Sequence, residues 1–220
     1  MQLALEFMYA TVLFFWVLFI VYPVTRFLYN WMVKRGISHV KAVYYNRKII
    51  HMATGGFIAL LVPFLFETPY AIIPMVAILA VLTYIPHRTG KLLYWFQTED
   101  NMYEVHFIIS WGVVMTLAWL LFNGNWWYGV IPVAFMSFGD GVTGIVRNIL
   151  YNKRTKAWIG NLAMACVAIP LGYAVFGVIG GIAGLVASIV EHFESNPIDD
   201  NITVPLISFL IIVIGEHLIP

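Results

Sequence analysis

Residues 157–190 read AWIGNLAMACVAIPLGYAVFGVIGGIAGLVASIV, a stretch of 34 residues without a charged side chain. A membrane-spanning helix needs roughly 17–25 mostly apolar residues, so this stretch is too long for a single crossing. We expect the chain to break in its glycine-rich middle, GVIGGIAG at residues 177–184. The stretch therefore predicts two successive spanning helices, of which the second is the shorter.

The composition places the whole chain in the same class. Hydrophobic residues make up 61% of the 220 residues and charged residues 10%, and the mean hydropathy is +0.86. Soluble domains usually contain about a quarter charged residues, which excludes an ordinary soluble globule. The chain is predicted to be one membrane-embedded domain, residues 1–220. A single cysteine, Cys166, excludes an intramolecular disulfide and a cysteine-based metal cluster.

The apolar segments predict an all-α, polytopic membrane protein with about eight transmembrane helices. The predicted spans are Phe7–Thr25, Ile49–Phe66, Thr68–Pro86, Val105–Phe122, Trp127–Arg147, the two parts of Ala157–Val190, and Asn201–Leu218. With eight crossings, all twelve Lys and Arg residues fall in loops on one side of the membrane. The positive-inside rule makes that side cytoplasmic and puts both termini on the non-cytoplasmic side.

One connection on the basic side carries carboxylates in place of Lys and Arg. It is VEHFESNPIDDNITVPL at residues 190–206, which contains Glu191, Asp199 and Asp200. By the parity of the crossings it lies beside three other polar segments, RKIIHMATGG at 47–56, FGDGVTGIVR at 138–147 and YNKRTKAWIGN at 151–161. Carboxylates hold Mg²⁺, and basic side chains and glycine amides hold phosphate oxygens, so this face has the residue types that phosphoryl transfer needs.

Each of these features also has a structural interpretation. Asp140, an ionisable residue within a predicted span, marks a functional site by default, but it could instead pair with Arg147 to hold two helices together. Asp199, Asp200 and Asn201 are good candidates to cap the last helix. Basic residues near a membrane surface often anchor lipid headgroups, and His51 could be a satisfied interfacial histidine.

Four motifs resemble the CTP-dependent polyprenol kinases, the family of phytol, geranylgeraniol and dolichol kinases, which are distantly similar to phosphatidate cytidylyltransferases. The motifs are RKIIHMATG at 47–55, GDGVTGIVR at 139–147, KAWIGN at 156–161 and VEHFESNPIDDNITVPL at 190–206. The chain departs from the family pattern at Asn161, where relatives usually carry Ser or Thr. Ile159 stands where dolichol kinases and cytidylyltransferases tend to have Glu, which favours the phytol or geranylgeraniol kinase group.

The resemblance implies transfer of the γ-phosphate of CTP to the terminal hydroxyl of an isoprenoid alcohol, with Mg²⁺ as cofactor. Within it we predict that Asp140, Asp199, Asp200 and Glu191 bind Mg²⁺, with Glu191 as an alternative general base, and that His51 takes part in catalysis. The predicted nucleotide- and phosphate-binding residues are Arg47, Lys48, Gly141, Gly144, Arg147, Lys153, Arg154, Lys156, Gly160, Asn161 and Asn201.

Other functions stay open at this point. A CDP-lipid synthase of the same superfamily would release pyrophosphate, whereas a kinase releases CDP. A small transporter is the alternative outside enzymes, because broken glycine-rich spans and a buried acid also occur there. The expected partners are CTP, an isoprenoid alcohol and membrane lipids, with no nucleic acid. The glycines at 180–184 fit an intramolecular contact and a homodimer equally well. The expected location is a cell membrane or ER-type membrane, with the active site facing the cytoplasm.

Overall fold

The chain forms a bundle of seven long helices among the residues described by the computed structural model, which are 1–151, 155–193 and 198–218, with side chains to residue 216. No strand occurs within these ranges. The helices are α1 (Gln2–Lys34), α2 (His39–Leu65), α3 (Ile72–Thr89), α4 (Tyr103–Leu121), α5 (Trp127–Tyr151), α6 (Trp158–Val190) and α7 (Asp200–Leu218).

Six of the described helices, α1 to α6, are long and apolar enough to cross a membrane. This confirms the prediction of an all-helical, polytopic membrane protein. Helix α5 is the central one. In its most apolar stretch of 18 residues, 78% of the residues are buried inside the bundle, whereas in α3 only 6% are. Its residues Phe135 and Met136 are fully buried, and Met164 of α6 packs in the same core.

Helix α6 breaks at Phe176 and Gly177, at the start of the predicted glycine-rich stretch. Gly177 has φ +55° and ψ −138°, a left-handed conformation that glycine adopts without strain. The two parts, residues 158–175 and 178–190, fold back against each other. A Cβ on Gly172 would fall against the carbonyl of Gly180, so glycine is required for the two backbones to approach this closely. The break is where the sequence predicts it.

Three short π-helical turns interrupt the long helices. They are Ile20–Val24 in α1, which contains Pro23, His51–Gly56 in α2, and Phe135–Gly139 in α5. Such turns are rare and are frequently found at functional sites. The second begins at His51 and the third ends directly before Asp140, so both adjoin predicted site residues.

The bundle has two chemically different ends. At the first, which we call the basic end, the connections 35–38, 90–102 and 155–157 meet the described residues 191–193 and 198–199 between α6 and α7. There Asn46 donates to the carbonyls of Thr25 and Trp95 and so ties α1, α2 and the 90–102 connection together. At the opposite end, Tyr128 donates to Glu216, and Glu6 accepts from the connection between α2 and α3.

Helix lengths explain why polar groups can gather at the basic end. Helix α2 has 27 residues, and at 1.5 Å per residue it is about 40 Å long, whereas the hydrocarbon core of a bilayer is about 30 Å thick. The extra turns carry His39 to Lys48, directly before the apolar run that starts at Ile49. Charged groups on those turns need not lie in the middle of the hydrocarbon.

Candidate active site

Lys48 and Asp140 form a buried ion pair between α2 and α5. The Lys48 Nζ donates to both oxygens of Asp140, at 2.6 and 2.5 Å, and the two side chains are 7% and 4% exposed. His51 lies one turn along α2, and its Nδ1 is 3.6 Å from Asp140 Oδ2. The interpretation in which Asp140 pairs with Arg147 is therefore wrong, because the partner of Asp140 comes from another helix.

Arg147 instead binds Glu191 at the end of α6. Its two terminal nitrogens donate to the two carboxylate oxygens at 2.8 and 2.9 Å, the paired geometry that gives guanidinium–carboxylate contacts their strength. Asn161 completes the arrangement, since its oxygen accepts from Arg147 at 2.8 Å and its nitrogen donates to Glu191 at 3.0 Å. The amide at position 161 thus bridges the ion pair, which a shorter Ser or Thr side chain could not do in the same way.

Lys156 connects this pair to the start of α7. Its Nζ donates to Glu191 Oε1 at 3.1 Å and to the Glu191 carbonyl at 2.8 Å. It also contacts Asp200 Oδ2 at 3.2 Å. The Lys156 side chain is 28% exposed, far more than the Arg147 and Lys48 side chains, so the cluster opens toward the aqueous side here.

The carboxylates of Asp140, Glu191 and Asp200 converge, each offering an oxygen within 4.8 Å of the others. Carboxylate oxygens are ligands for Mg²⁺, which usually takes one or two of them together with phosphate oxygens and waters. Lys48, Arg147 and Lys156 compensate these charges in the structure. A divalent cation on the carboxylates would release those three cations to bind phosphate oxygens, so the donor set fits Mg²⁺ together with a phosphate ligand. We call these six residues the charged cluster.

Asp199 occupies a different position from its neighbour Asp200. Its Oδ1 accepts from the backbone N–H of Asn201 at 3.1 Å and its carbonyl accepts from Ile202 and Thr203, so Asp199 caps α7. Its Oδ2 contacts His106 Nδ1 at 2.9 Å. Burial raises the pKa of Asp199 to about 6, although the His106 hydrogen bond acts in the opposite direction. Asp199 therefore lies beside the three converging carboxylates and supports the helix that carries Asp200.

Burial also raises the pKa of Glu191, and the charge of Lys156 opposes this shift. The two hydrogen bonds from Arg147 also act to lower the pKa of Glu191, as the charge of Lys156 does. They hold the carboxylate between two cations. The buried Glu191 carboxylate, at the end of α6, is thus kept in place by charge pairing.

The predicted glycines make room for side chains of the cluster itself. A Cβ on Gly144 would collide with Tyr44 and Lys48, and one on Gly160 would collide with Arg147. Gly141 lies against Met52 in the same way. Because these positions lack side chains, α2, α5 and α6 can bring Lys48 and Arg147 to their carboxylate partners. The sequence prediction gave the glycines another role, contact with phosphate.

The remaining predicted residues lie around the cluster. The Arg47 guanidinium stacks over the Tyr103 ring at 3.8 Å, and Asn201 donates to the Tyr103 carbonyl at 3.4 Å. Lys153 and Arg154 fall outside the described residues. The structure thus brings together Lys48, His51, Asp140, Arg147, Lys156, Glu191 and Asp200, with Asn161 as a bridge.

A long apolar groove between the helices leads to the cluster. It is a partly open cavity of about 130 Å³ between α1, α2, α3, α4 and the 90–102 connection. Phe66 and Ile72 line it toward the end of the bundle that carries Glu6, and His51 lines it at the basic end. Because His51 also adjoins Asp140, the groove and the charged cluster meet at this histidine.

Two contacts between a carboxylate and a histidine near the groove were not predicted from the sequence. Glu104, in the first turn of α4, is 6% exposed and bound by His87 and Gln97. His106, two residues later, pairs with Asp199. The only sequence signal is an acid, Glu104, at the start of an apolar helix, and the preceding connection 90–102 has no recognisable motif.

Comparison of the chain with protein-family models, with curated proteins and with solved structures finds no match.

Proposed function

We propose that the chain is a Mg²⁺-dependent lipid kinase that transfers the γ-phosphate of CTP to the terminal hydroxyl of an isoprenoid alcohol. The observation that carries the proposal is the junction at His51, where an apolar groove meets three converging carboxylates and three cations. A water-soluble phosphate donor and a lipid acceptor can approach this junction from opposite sides. The choice of CTP and of an isoprenoid rests on the motif resemblance.

The residues of the charged cluster divide into two roles in this proposal. Asp140, Glu191 and Asp200 hold Mg²⁺, which neutralises charge on the transferred phosphoryl group. Lys48, Arg147 and Lys156 bind the phosphate oxygens of the nucleotide. Lys156 is the most exposed of the three and is the first to meet the incoming nucleotide.

The lipid occupies the apolar groove with its hydroxyl at the His51 end. The His51 ring stacks on Phe107 at 4.0 Å, which fixes its orientation between the groove and Asp140. Helix α4 thereby holds the histidine at a constant distance from the cluster, and a bound hydroxyl is aligned with the phosphoryl group to be transferred.

The same proposal includes the membrane topology. The two parts of α6 and helix α7 are counted as separate crossings, which gives eight in total. The basic end then faces the cytoplasm, where CTP is supplied, and both termini lie on the other side. The second part of α6, residues 178–190, is about 20 Å long and crosses less than the full hydrocarbon thickness.

An assay with purified protein in detergent tests this function. The protein is incubated with Mg²⁺, each of the four ribonucleoside triphosphates and isoprenoid alcohols of 15 to 55 carbons, and CDP, pyrophosphate and lipid phosphate are measured. The kinase predicts CDP and lipid phosphate in equal amounts, dependent on Mg²⁺. In a parallel incubation a lipid phosphate replaces the alcohol, and release of pyrophosphate there, without kinase activity on the alcohols, would instead identify a CDP-lipid synthase.

A further inference from the structure

A second polar cluster lies in the wall of the apolar groove, away from the charged cluster. Glu104 Oε1 contacts His87 Nε2 at 2.5 Å and accepts from the Gln97 amide at 2.6 Å. Gln97 is itself fixed, since its amide also donates to the Thr83 carbonyl and its oxygen accepts from the Leu93 N–H. One oxygen of Glu104 is thus held firmly from the side of the 90–102 connection.

The other oxygen, Glu104 Oε2, is buried and has no hydrogen-bond partner among the described residues. The Glu104 side chain is 7% exposed and lines the groove. A buried carboxylate oxygen without a partner is costly, by several kcal/mol in an apolar environment. A donor on a ligand bound in the groove would satisfy this oxygen.

Two threonines that line the groove already have hydrogen-bond partners on their own helices. The hydroxyls of Thr54 and Thr83 donate to the carbonyls of Ile50 and Leu79 on their own helices. His51 also lines the groove, but its Nδ1 lies 3.6 Å from Asp140 Oδ2 and so faces the charged cluster. Glu104 and Phe107 are three residues apart on α4, and Phe107 stacks on His51, so Glu104 and His51 line one region of the groove.

We propose that Glu104 Oε2 accepts the hydrogen bond of the lipid's terminal hydroxyl and so selects an alcohol as the ligand of the groove. This rests on the proposed function for the identity of the lipid as an isoprenoid. A carboxylate acceptor requires a donor on the ligand, which an alcohol has and a hydrocarbon end lacks. His87 and Gln97 act as positioning residues that aim Oε2 into the groove.

The same carboxylate discriminates against an anionic headgroup. A lipid monophosphate would place its negative charge against Glu104 in an environment of low dielectric constant, where like charges repel strongly. Glu104 thus favours the alcohol before phosphoryl transfer and disfavours the lipid phosphate after it. This preference matches a kinase and opposes an enzyme whose acceptor is a lipid phosphate.

Binding measurements without nucleotide or Mg²⁺ test the inference independently of the reaction. Affinities are measured in detergent for three probes with the same twenty-carbon isoprenoid skeleton, namely the alcohol, the hydrocarbon and the monophosphate. For the wild type we expect the alcohol to bind roughly 10- to 100-fold more tightly than the hydrocarbon, the range for one hydrogen bond to a charged group. Equal affinities for the two would overturn the proposal.

Variants at position 104 assign that preference to the carboxylate. Glu104→Leu is expected to weaken binding of the alcohol to the level of the hydrocarbon, to leave hydrocarbon binding unchanged and to strengthen binding of the monophosphate. Glu104→Gln, which keeps the shape, should lose part of the preference for the alcohol, and His87→Gln a smaller part. Glu99→Gln, at an exposed acid of the 90–102 connection, is the matched control. A full preference for the alcohol in Glu104→Leu, or in Glu104→Gln if the leucine variant does not fold, would contradict the role of Glu104.

Kinetics separate this inference from the proposed function. Glu104→Gln should raise the KM for the isoprenoid alcohol roughly tenfold while the KM for CTP stays constant. An equal rise of both KM values would show a structural role and overturn the inference. A wild-type protein that selects the alcohol but phosphorylates no substrate would refute the kinase and leave the role of Glu104 intact.

Discussion

Two buried carboxylates, Glu6 and Asp140, lie at opposite ends of the bundle and are satisfied in different ways. Glu6 is fully buried, and its oxygens accept from the N–H groups of Glu67 and Thr68 and from the Thr68 hydroxyl. Asp140 is paired with the ammonium group of Lys48. Glu6 thus holds the α2–α3 connection against α1 by accepting from neutral donors. Asp140 is paired with a cation, Lys48, which could leave the carboxylate to bind an anionic ligand.

A buried acid in a membrane protein is not by itself a mark of catalysis. The groups around it decide. The contacts of Glu6 include three neutral donors from one tight turn, which is a structural arrangement. Asp140 stands among two further carboxylates and three cations from three helices and two connections, and it adjoins the groove through His51. A site that binds charged ligands needs this second kind of surrounding.

The largest effect is expected from the Lys48–Asp140 pair. Asp140→Asn should lower phosphorylation of the isoprenoid alcohol by roughly 1,000-fold, because a phosphoryl-transfer site loses a metal ligand. It should also destabilise the fold, by about 3–5 kcal/mol, since Lys48 is left buried without its counter-ion. Product formation and the thermal unfolding midpoint are measured together.

A double variant separates these two effects. Lys48→Met with Asp140→Leu removes both charges and should recover the unfolding midpoint without recovering phosphorylation. If the double variant regains activity along with stability, Lys48 and Asp140 hold the fold only, like Glu6, and the distinction between the two carboxylates fails.

The next effect concerns the geometry of the Arg147–Glu191 pair. Arg147→Lys keeps the charge but loses the two parallel hydrogen bonds to Glu191 and the bond to Asn161. We expect kcat to fall roughly 10- to 100-fold, as is usual when a group that orients a metal ligand is lost. The KM for CTP at saturating lipid is determined in parallel. Unchanged kcat in the lysine variant would mean that only the charge at position 147 matters.

A smaller effect is expected at Gly160, which gives Arg147 its space. In Gly160→Ala the new Cβ would meet the Arg147 side chain, which can shift at a modest cost, so we expect activity to fall roughly 10-fold. Gly181→Ala is the matched control on the same helix, because its Cβ would find its nearest neighbour at 3.7 Å, an ordinary contact. Equal specific activities of the two variants would show that Arg147 is not constrained through Gly160.

The smallest effect on activity is expected from Glu6. Glu6→Gln replaces one accepting oxygen by a donor and leaves part of the α2–α3 connection unpaired, which should destabilise the protein by about 1–3 kcal/mol. Activity per folded molecule should stay at the wild-type level. Thermal unfolding in detergent and a titration of active protein measure the two quantities, and a selective loss of turnover would place Glu6 in the catalytic machinery.

Much of the fold could be predicted from composition and charge. Apolar segments of spanning length predict the helices, and the glycine-rich stretch at 177–184 predicts the break that occurs at Phe176 and Gly177. The parity of the crossings predicts that the segments with Asp140, Arg147, Glu191 and Asp200 meet at one end. They do meet, because each helix must bury its apolar length in a parallel or antiparallel bundle.

The pairing of the charges could not be predicted in the same way. Asp140 and Arg147 share a helix face by spacing, but each pairs with a residue of another helix. The neighbours Asp199 and Asp200 have different surroundings because α7 begins between them, and only one carboxylate can cap it. Glu104 is buried by the 90–102 connection, whose path no local pattern specifies.

The position of a radioactive label in the lipid product tests the central claim most directly. Purified protein is incubated with Mg²⁺, a twenty-carbon isoprenoid alcohol and CTP that carries ³²P at either the γ or the α position, and the lipid phase is extracted. The proposed function predicts label in the lipid from γ-labelled CTP only, and none with Asp140→Asn. Label in the lipid from α-labelled CTP, or from neither nucleotide in a folded protein that binds the alcohol, would contradict it.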